Sequence, residues 1–234
     1  MRISETNEII SALPQRERNA LLPHLETVSL RESTVLNLAG ERIDHVYFPT
    51  ASLISSMIQM QCGTIVPIAI TGREGMLGVD LVLGAKKATS TATVAISGDC
   101  LRITVEAFGD QFERHPALRV FLFRYVSYIR AQLERTSACN LMHSPETRVC
   151  RWLLLISDRL CPQNPPFSAA AVGLLAGIAE PELAPVLQRL ESEGIISPEN
   201  SESIRIGDRD ALRTAACGCY DRRAEPFVLP RAQW

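Results

Sequence analysis

From Pro116 to about Met142 the sequence holds no glycine and no further proline. Such a stretch predicts the longest helix of the chain, with Pro116 in its first turn, where the missing backbone N–H costs nothing. Its apolar positions Leu118, Leu122, Tyr125, Ile129 and Leu133, followed by Thr136, recur at spacings of three and four, the seam of a coiled coil. A helix packed on its own domain has the same spacing. We expect these six positions to form a dimer interface, because a helix of this length following a self-contained domain needs a partner.

The texture on either side differs. Before the helix, the segments Thr34 to Leu38, His45 to Phe48, Leu53 to Met60, Ile65 to Ile70, Ala92 to Ile96 and Cys100 to Val105 are β-branched or aliphatic. Turn signals such as Ala39-Gly40-Glu41, Cys62-Gly63 and Ser97-Gly98-Asp99 separate them. This pattern predicts an antiparallel β-roll or jelly roll over residues 1–105, preceded by short helices broken at Pro14 and Pro23. Residues 106–143 form the central helical region. Beyond it, Ser144-Pro145 reads as N-cap and first residue of a new helix with Val149, Trp152, Leu153, Ile156 and Leu160 on one face. Cys161-Pro162-Gln163-Asn164-Pro165-Pro166 is expected to stop it. Two short helices follow, Ser168 to Ala176 and Pro185 to Glu193, with Gly177-Ile178 between them, and then a hairpin closing at Ile204-Arg205-Ile206. Helix, turn, helix and β-wing over 144–221 is a DNA-binding arrangement, and 222–234 is a tail. The fold class is α+β.

Composition limits the function classes. The net charge is −2, with no block of basic residues, so any nucleic-acid contact must be local. No run reaches the roughly 18 apolar residues of a membrane span, and the first residues form no apolar leader core, so we expect a cytoplasmic protein without a membrane partner. The seven cysteines are odd in number and scattered, which suits reduced thiols. Cys217-x-Cys219 leaves open a redox or metal role with Cys139 or Cys150, with buried structural thiols as the simpler reading. Of His24, His45, His115 and His143, none has ligand spacing with another, and no metal ligands are assigned. No Ser/His/Asp set, metal-binding helix or P-loop is present, so we expect no enzyme.

Several motifs, taken in order, resemble the CRP/FNR superfamily. They are Asp44-His45-Val46-Tyr47-Phe48-Pro49, Gly72-Arg73-Glu74-Gly75-Met76-Leu77-Gly78, Ala138-Cys139-Asn140 before His143, Arg148 with Arg151-Trp152-Leu153-Leu154, and Ala216-Cys217-Gly218-Cys219-Tyr220. The resemblance implies a homodimer whose effector domain acts through the central helix on two helix-turn-helix units. It places an effector pocket at Gly75, Met76, Leu77, Ser90 and Thr91. Met76 stands where cyclic-nucleotide-binding members have glutamate, and Ser90 where they have the phosphate-binding arginine, so cyclic AMP is not expected. Nor is an Fe–S cluster, since no cysteine precedes Cys62. The effector is left open and no cofactor is assigned.

The resemblance also places the DNA-reading helix, and there the chain departs from the family. Where the family has arginine and hydroxyl residues, this chain reads Glu180-Pro181-Glu182-Leu183-Ala184-Pro185. Six glutamates and one arginine lie between Ser168 and Ser203. The candidate DNA-facing residues are Glu180, Glu182, Gln188, Arg189 and Arg205. Pro185 is expected to start its helix, with the preceding turn unwound. Two readings remain: DNA binding through arginine–phosphate contacts, or a unit that binds a protein partner.

Overall fold

The computed structural model describes residues 7–160 and 166–220. The tail at 222–234 and most of the expected helix stop, from Cys161 to Pro165, lie outside the described residues. The chain divides into two compact units, one running to Arg130 and the other starting at Ala131.

In the first unit, seven strands form two antiparallel sheets. One sheet orders β1 (Glu26–Leu30), β7 (Gly98–Thr104) and β3 (His45–Pro49) side by side. The other orders β2 (Val35–Asn37), β6 (Thr91–Ile96), β4 (Leu53–Gln59) and β5 (Ile65–Thr71). The period of two along a strand sorts the side chains into two cores. Tyr47 on β3 and Cys100 on β7 join Ile54 and Ala92 in a small inner cluster, with Val28, Leu30, Leu36 and Leu77 packed against it. The alternate residues, Val46 and Phe48 on β3 and Leu101 and Ile103 on β7, face outward into a larger cluster. Helices cover that outer face: α1 (Glu8–Ala12), α2 (Gln15–Leu21), α4 (Val105–Arg114) and the first half of α5 (Pro116–Met142). A one-turn helix, α3 (Val79–Val82), connects β5 towards β6.

Six of these strands lie where the alternation places them. β1 is the addition: Glu26-Thr27-Val28-Ser29-Leu30 has few apolar residues and is mostly exposed, and its pairing with β7 gives it its place at a sheet edge.

The cover over the outer face corrects the expected dimer seam. Leu118, Leu122 and Tyr125 are 2%, 0% and 3% exposed, packed among Ile9, Ile10, Leu101 and Ile103 of their own unit. Ile129 packs partly against the same cluster. Thr136, in the second unit, accepts a hydrogen bond from Arg151 Nη2 at 3.3 Å. Of the six residues only Leu133 is exposed. Spacings of three and four report that a helix has an apolar face, and here that face closes the roll.

The second unit is built around α6 (Pro145–Leu160), whose start is capped by Ser144 Oγ accepting from the Thr147 N–H at 3.5 Å. Its buried face carries Val149, Trp152, Leu153, Ile156 and Leu160. Packed on it are α7 (Ala169–Leu175), α8 (Glu180–Ser192) and α9 (Arg209–Ala215). A three-stranded sheet orders β8 (Phe167–Ser168), β10 (Ser203–Ile206) and β9 (Ile196–Pro198). No described helix is long and apolar enough by itself to cross a membrane.

Candidate nucleic-acid interface and neighbouring sites

The turn between α7 and α8 is fixed by local chemistry. Ser168 Oγ accepts from the Ala171 N–H at 3.3 Å and caps α7. Gly177 takes a φ of +64°, a left-handed conformation that favours glycine, and ends the helix. Its carbonyl, like that of Asn140, accepts from Arg148 Nη1, at 3.5 and 3.3 Å, so a buried arginine of α6 holds the turn and the end of α5. Gly173 lets the two helices approach: a Cβ there would lie 2.5 Å from Leu183 Cδ2.

The helix carrying the DNA-facing candidates begins earlier than expected. It starts at Glu180 and contains Pro185, which corrects the expectation that Pro185 opens it. The turn before the proline is held by backbone bonds and by packing. The Glu182 and Leu183 N–H groups both donate to the Ala179 carbonyl, at 3.0 and 3.1 Å, and Leu183 is buried at 5% exposure. Packing therefore offsets the bond that Pro185 cannot donate.

The outward surface of α8 presents Glu180, Pro181, Glu182, Ala184, Pro185, Gln188 and Arg189. Arg189 is engaged within the chain, 3.1 Å from both Glu146 and Glu193. In the wing, Arg205 lies 3.0 Å from Glu199 and holds that carboxyl below its ordinary pKa. Arg209 pairs with Asp158 and donates to Ser157 Oγ at 2.9 Å. The candidate cations thus already have carboxylate neighbours, which the sequence alone did not disclose.

The expected effector cassette is placed differently from a ligand-binding surface. Met76 is 1% exposed and belongs to the outer core. Its N–H donates to the Tyr125 hydroxyl at 3.0 Å, and a Cβ at Gly75 would collide with that same oxygen. Leu77 exchanges two backbone hydrogen bonds with Tyr47 and packs on the inner cluster. Gly75 and Met76 therefore hold the roll to α5, and Leu77 is tied to β3 and the inner cluster, in place of lining the expected pocket. Thr91 Oγ1 accepts from the Ala39 N–H at 3.2 Å, and Ser90 beside it is half-buried. A cavity of about 470 Å³ opens elsewhere on this unit, between α4 and the 81–86 segment, lined by Arg42, Lys86, Glu106, Phe108, Phe112 and Glu113 among others.

The second unit also gathers Cys139, Cys217 and Cys219, a set the sequence left open, and adds His143, which sequence reasoning did not include. Cys139 and His143, one turn apart at the end of α5, meet Cys217 and Cys219, which follow α9. The Cys139 and Cys217 sulfurs are 3.5 Å apart, and His143 Nδ1 lies 3.4 Å from Cys139 Sγ and 3.9 Å from Cys219 Sγ. Burial, together with the adjacent Cys217 thiol, pushes the Cys139 thiol up to about 12. The available signal was the four-residue spacing of Cys139 and His143, which puts both on one helix face. A search for histidine–histidine spacing passes over it.

Residues 147–215 match the family model of the Crp-like helix-turn-helix domain. No curated protein matches the sequence. Among solved structures, FixK2 from Bradyrhizobium japonicum is similar with a TM-score of 0.69 at 15% identity, covering 83% of this chain and 98% of that one. TTHB099, a CRP-family transcriptional regulator from Thermus thermophilus, gives 0.65 at 17% identity over 82% and 96%. The c-di-GMP responsive regulator CLP from Xanthomonas campestris gives 0.58 at 15% identity over 83% and 100%.

Proposed function

We propose that this chain, which has the CRP/FNR fold and carries a Crp-like helix-turn-helix domain over residues 147–215, is a CRP/FNR-type transcriptional regulator that is dimeric and cytoplasmic, binds DNA and catalyses no reaction. The observation that carries this reading is the intact α7–turn–α8–wing unit. Its packing residues Val172, Leu175, Ile178, Leu183, Leu190, Ile195 and Ile196 are all buried, and its glycines sit where the turn requires them. A unit under no demand to present α8 in one orientation has no need of the Arg148 clamp on Gly177.

Dimerisation uses the face of α5 left open after the roll is covered. Val120, Phe123, Leu133, Leu141 and Met142 are exposed, Leu141 by 85%. Large apolar side chains exposed to water on a helix gain by association.

Cyclic AMP is not the effector. The glutamate position is filled by Met76 within the core, and no arginine stands at position 90. The phosphate would meet neither its bidentate partner nor an open cradle.

The test is retention of random-sequence duplexes by the purified dimer at two salt concentrations. Affinity that falls with salt counts phosphate contacts without any assumption about the site. Enrichment of a palindrome with a clear salt slope supports DNA recognition; no retention at low salt by a folded dimer overturns it.

One observation favours a second reading, in which the unit binds a protein. Glu180 and Glu182 project from the first turn of α8, where phosphates would come, and Arg189, Arg205 and Arg209 are each paired with a carboxylate. A basic protein surface satisfies such a face better than a polyanion does.

A further inference from the structure

We propose that Cys139, His143, Cys217 and Cys219 bind one zinc ion in a Cys3His site that fastens the segment after α9 to the end of α5. The geometry is that of a tetrahedral site before closure. With Zn–S near 2.3 Å and Zn–N near 2.0–2.1 Å, the edges between ligand atoms are about 3.5–3.8 Å. Three of the six edges in this cluster are 3.5, 3.4 and 3.9 Å, and all four ligand atoms lie within 4.8 Å of one another. Ligands so close together enclose a single ion and leave no room for an iron–sulfur cube. Thiolate and imidazole donors select zinc over magnesium or calcium.

A second observation comes from outside the cluster. Arg151 is 1% exposed, yet among the described residues its Nε and Nη1 have no hydrogen-bond partner, and its Nη2 donates only to the Thr136 hydroxyl. The guanidinium otherwise lies over the Trp152 ring, 5.6 Å from its centroid. A buried positive charge without an anion is costly. Cys139, Cys217 and Cys219 would oppose its charge only as thiolates, the form in which they would bind a metal. Zinc with three thiolates and a neutral imidazole carries one net negative charge, which is what Arg151 lacks. On binding, the three thiol protons leave to solvent and four coordinate bonds form; nothing is oxidised or reduced.

The local structure is built to hold this set. The His143 N–H donates to the Cys139 carbonyl at 3.1 Å, keeping both on one helical turn. Behind Cys219, the Tyr220 hydroxyl donates to Asp158 at 3.0 Å and pins the segment against α6. Cys139 and Cys217 are 78 residues apart, so the ion would close a loop containing most of the helix-turn-helix unit.

The experiment uses the full chain, purified under reducing conditions. Elemental analysis after gel filtration should give one zinc per chain. Replacement by Co²⁺ should give tetrahedral d–d bands with charge-transfer intensity for three thiolates. Cys219→Ser, at a partly exposed position, should lower that intensity by about a third and weaken zinc retention, while Cys62→Ser, remote and exposed, should change neither. Circular dichroism of the Cys219→Ser protein establishes that it is folded. The proposal fails if the folded, reduced wild-type chain takes up neither zinc nor cobalt, if Cys217→Ser and Cys219→Ser bind metal as the wild type does, or if mass spectrometry finds a Cys139–Cys217 disulfide in place of the metal.

Discussion

At Met76 a single buried side chain joins the roll to α5. A glutamate there would bring its carboxylate into an apolar cluster that includes Val46, Phe48 and Leu122. The Met76→Glu protein is therefore expected to unfold at lower urea and still show no heat of binding with cyclic AMP. Tyr125 is the companion residue, because its hydroxyl is the partner of the Met76 N–H. Tyr125→Phe keeps the packing and removes the acceptor, leaving a buried donor unpaired at a cost of about 1–3 kcal/mol. Urea denaturation should show that loss, with Tyr128→Phe, one turn further along the helix, costing less. That Met76 departs from a nucleotide-binding pattern was legible in the sequence. Its role in joining the roll to α5 was not, since Tyr125 lies 49 residues away and nothing local pairs them.

For α5 the useful contrast is between its two faces. Leu122 is fully buried in the roll and Phe123, the next residue, is 49% exposed. Leu122→Ala should lower unfolding stability by about 2–5 kcal/mol, the usual range for emptying a core site. Phe123→Ala, which gives up an edge-on contact with Phe112, should cost monomer stability less than Leu122→Ala and shift the association equilibrium towards monomer in sedimentation velocity. The reverse pattern would restore the seam at Leu118, Leu122 and Tyr125. The helix itself was legible from its lack of breakers; the face it buries was not, because heptad-like spacing is the same against a roll as against a second helix. α8 poses the converse problem. Pro185 reads as a helix start by its chemistry, and only the buried Leu183 and the Ala179 carbonyl explain why the turn ahead of it survives. Pro185→Ala, which restores a helical N–H on an exposed face, should raise stability by about 1–3 kcal/mol. If α8 faces DNA as proposed, Glu180→Lys with Glu182→Lys should strengthen retention of random duplexes and steepen the salt dependence, since two side chains that would repel phosphate would attract it.

Across the whole chain, alternation and turn residues located most strands, and the order of elements located the helix-turn-helix unit. What escaped the sequence arises between distant segments: β1, which is recruited by β7, and the place of His143 beside Cys139, Cys217 and Cys219 in the second unit. The cysteines show a further property of the folded chain that no spacing reveals. Cys100 and Cys150 are both fully buried, and burial pushes each thiol up to about 12. In the unfolded chain a thiol titrates near 8.5. Below that value both states hold the proton, and the preference for the neutral thiol is fully available to the fold. Above it the unfolded chain releases protons that the folded chain keeps, so stability declines as pH rises towards 12, by up to about 1.4 kcal/mol per pH unit for each thiol. Urea denaturation at about pH 7 and about pH 10, on either side of the unfolded thiol's pKa, should therefore show a loss in the wild type. In the Cys100→Ala, Cys150→Ala protein the difference between the two pH values should shrink, although its stability at neutral pH is lower. An equal alkaline loss in both proteins would assign the effect to groups other than these thiols, and would mean that the buried sulfurs exchange protons more freely than their surroundings allow.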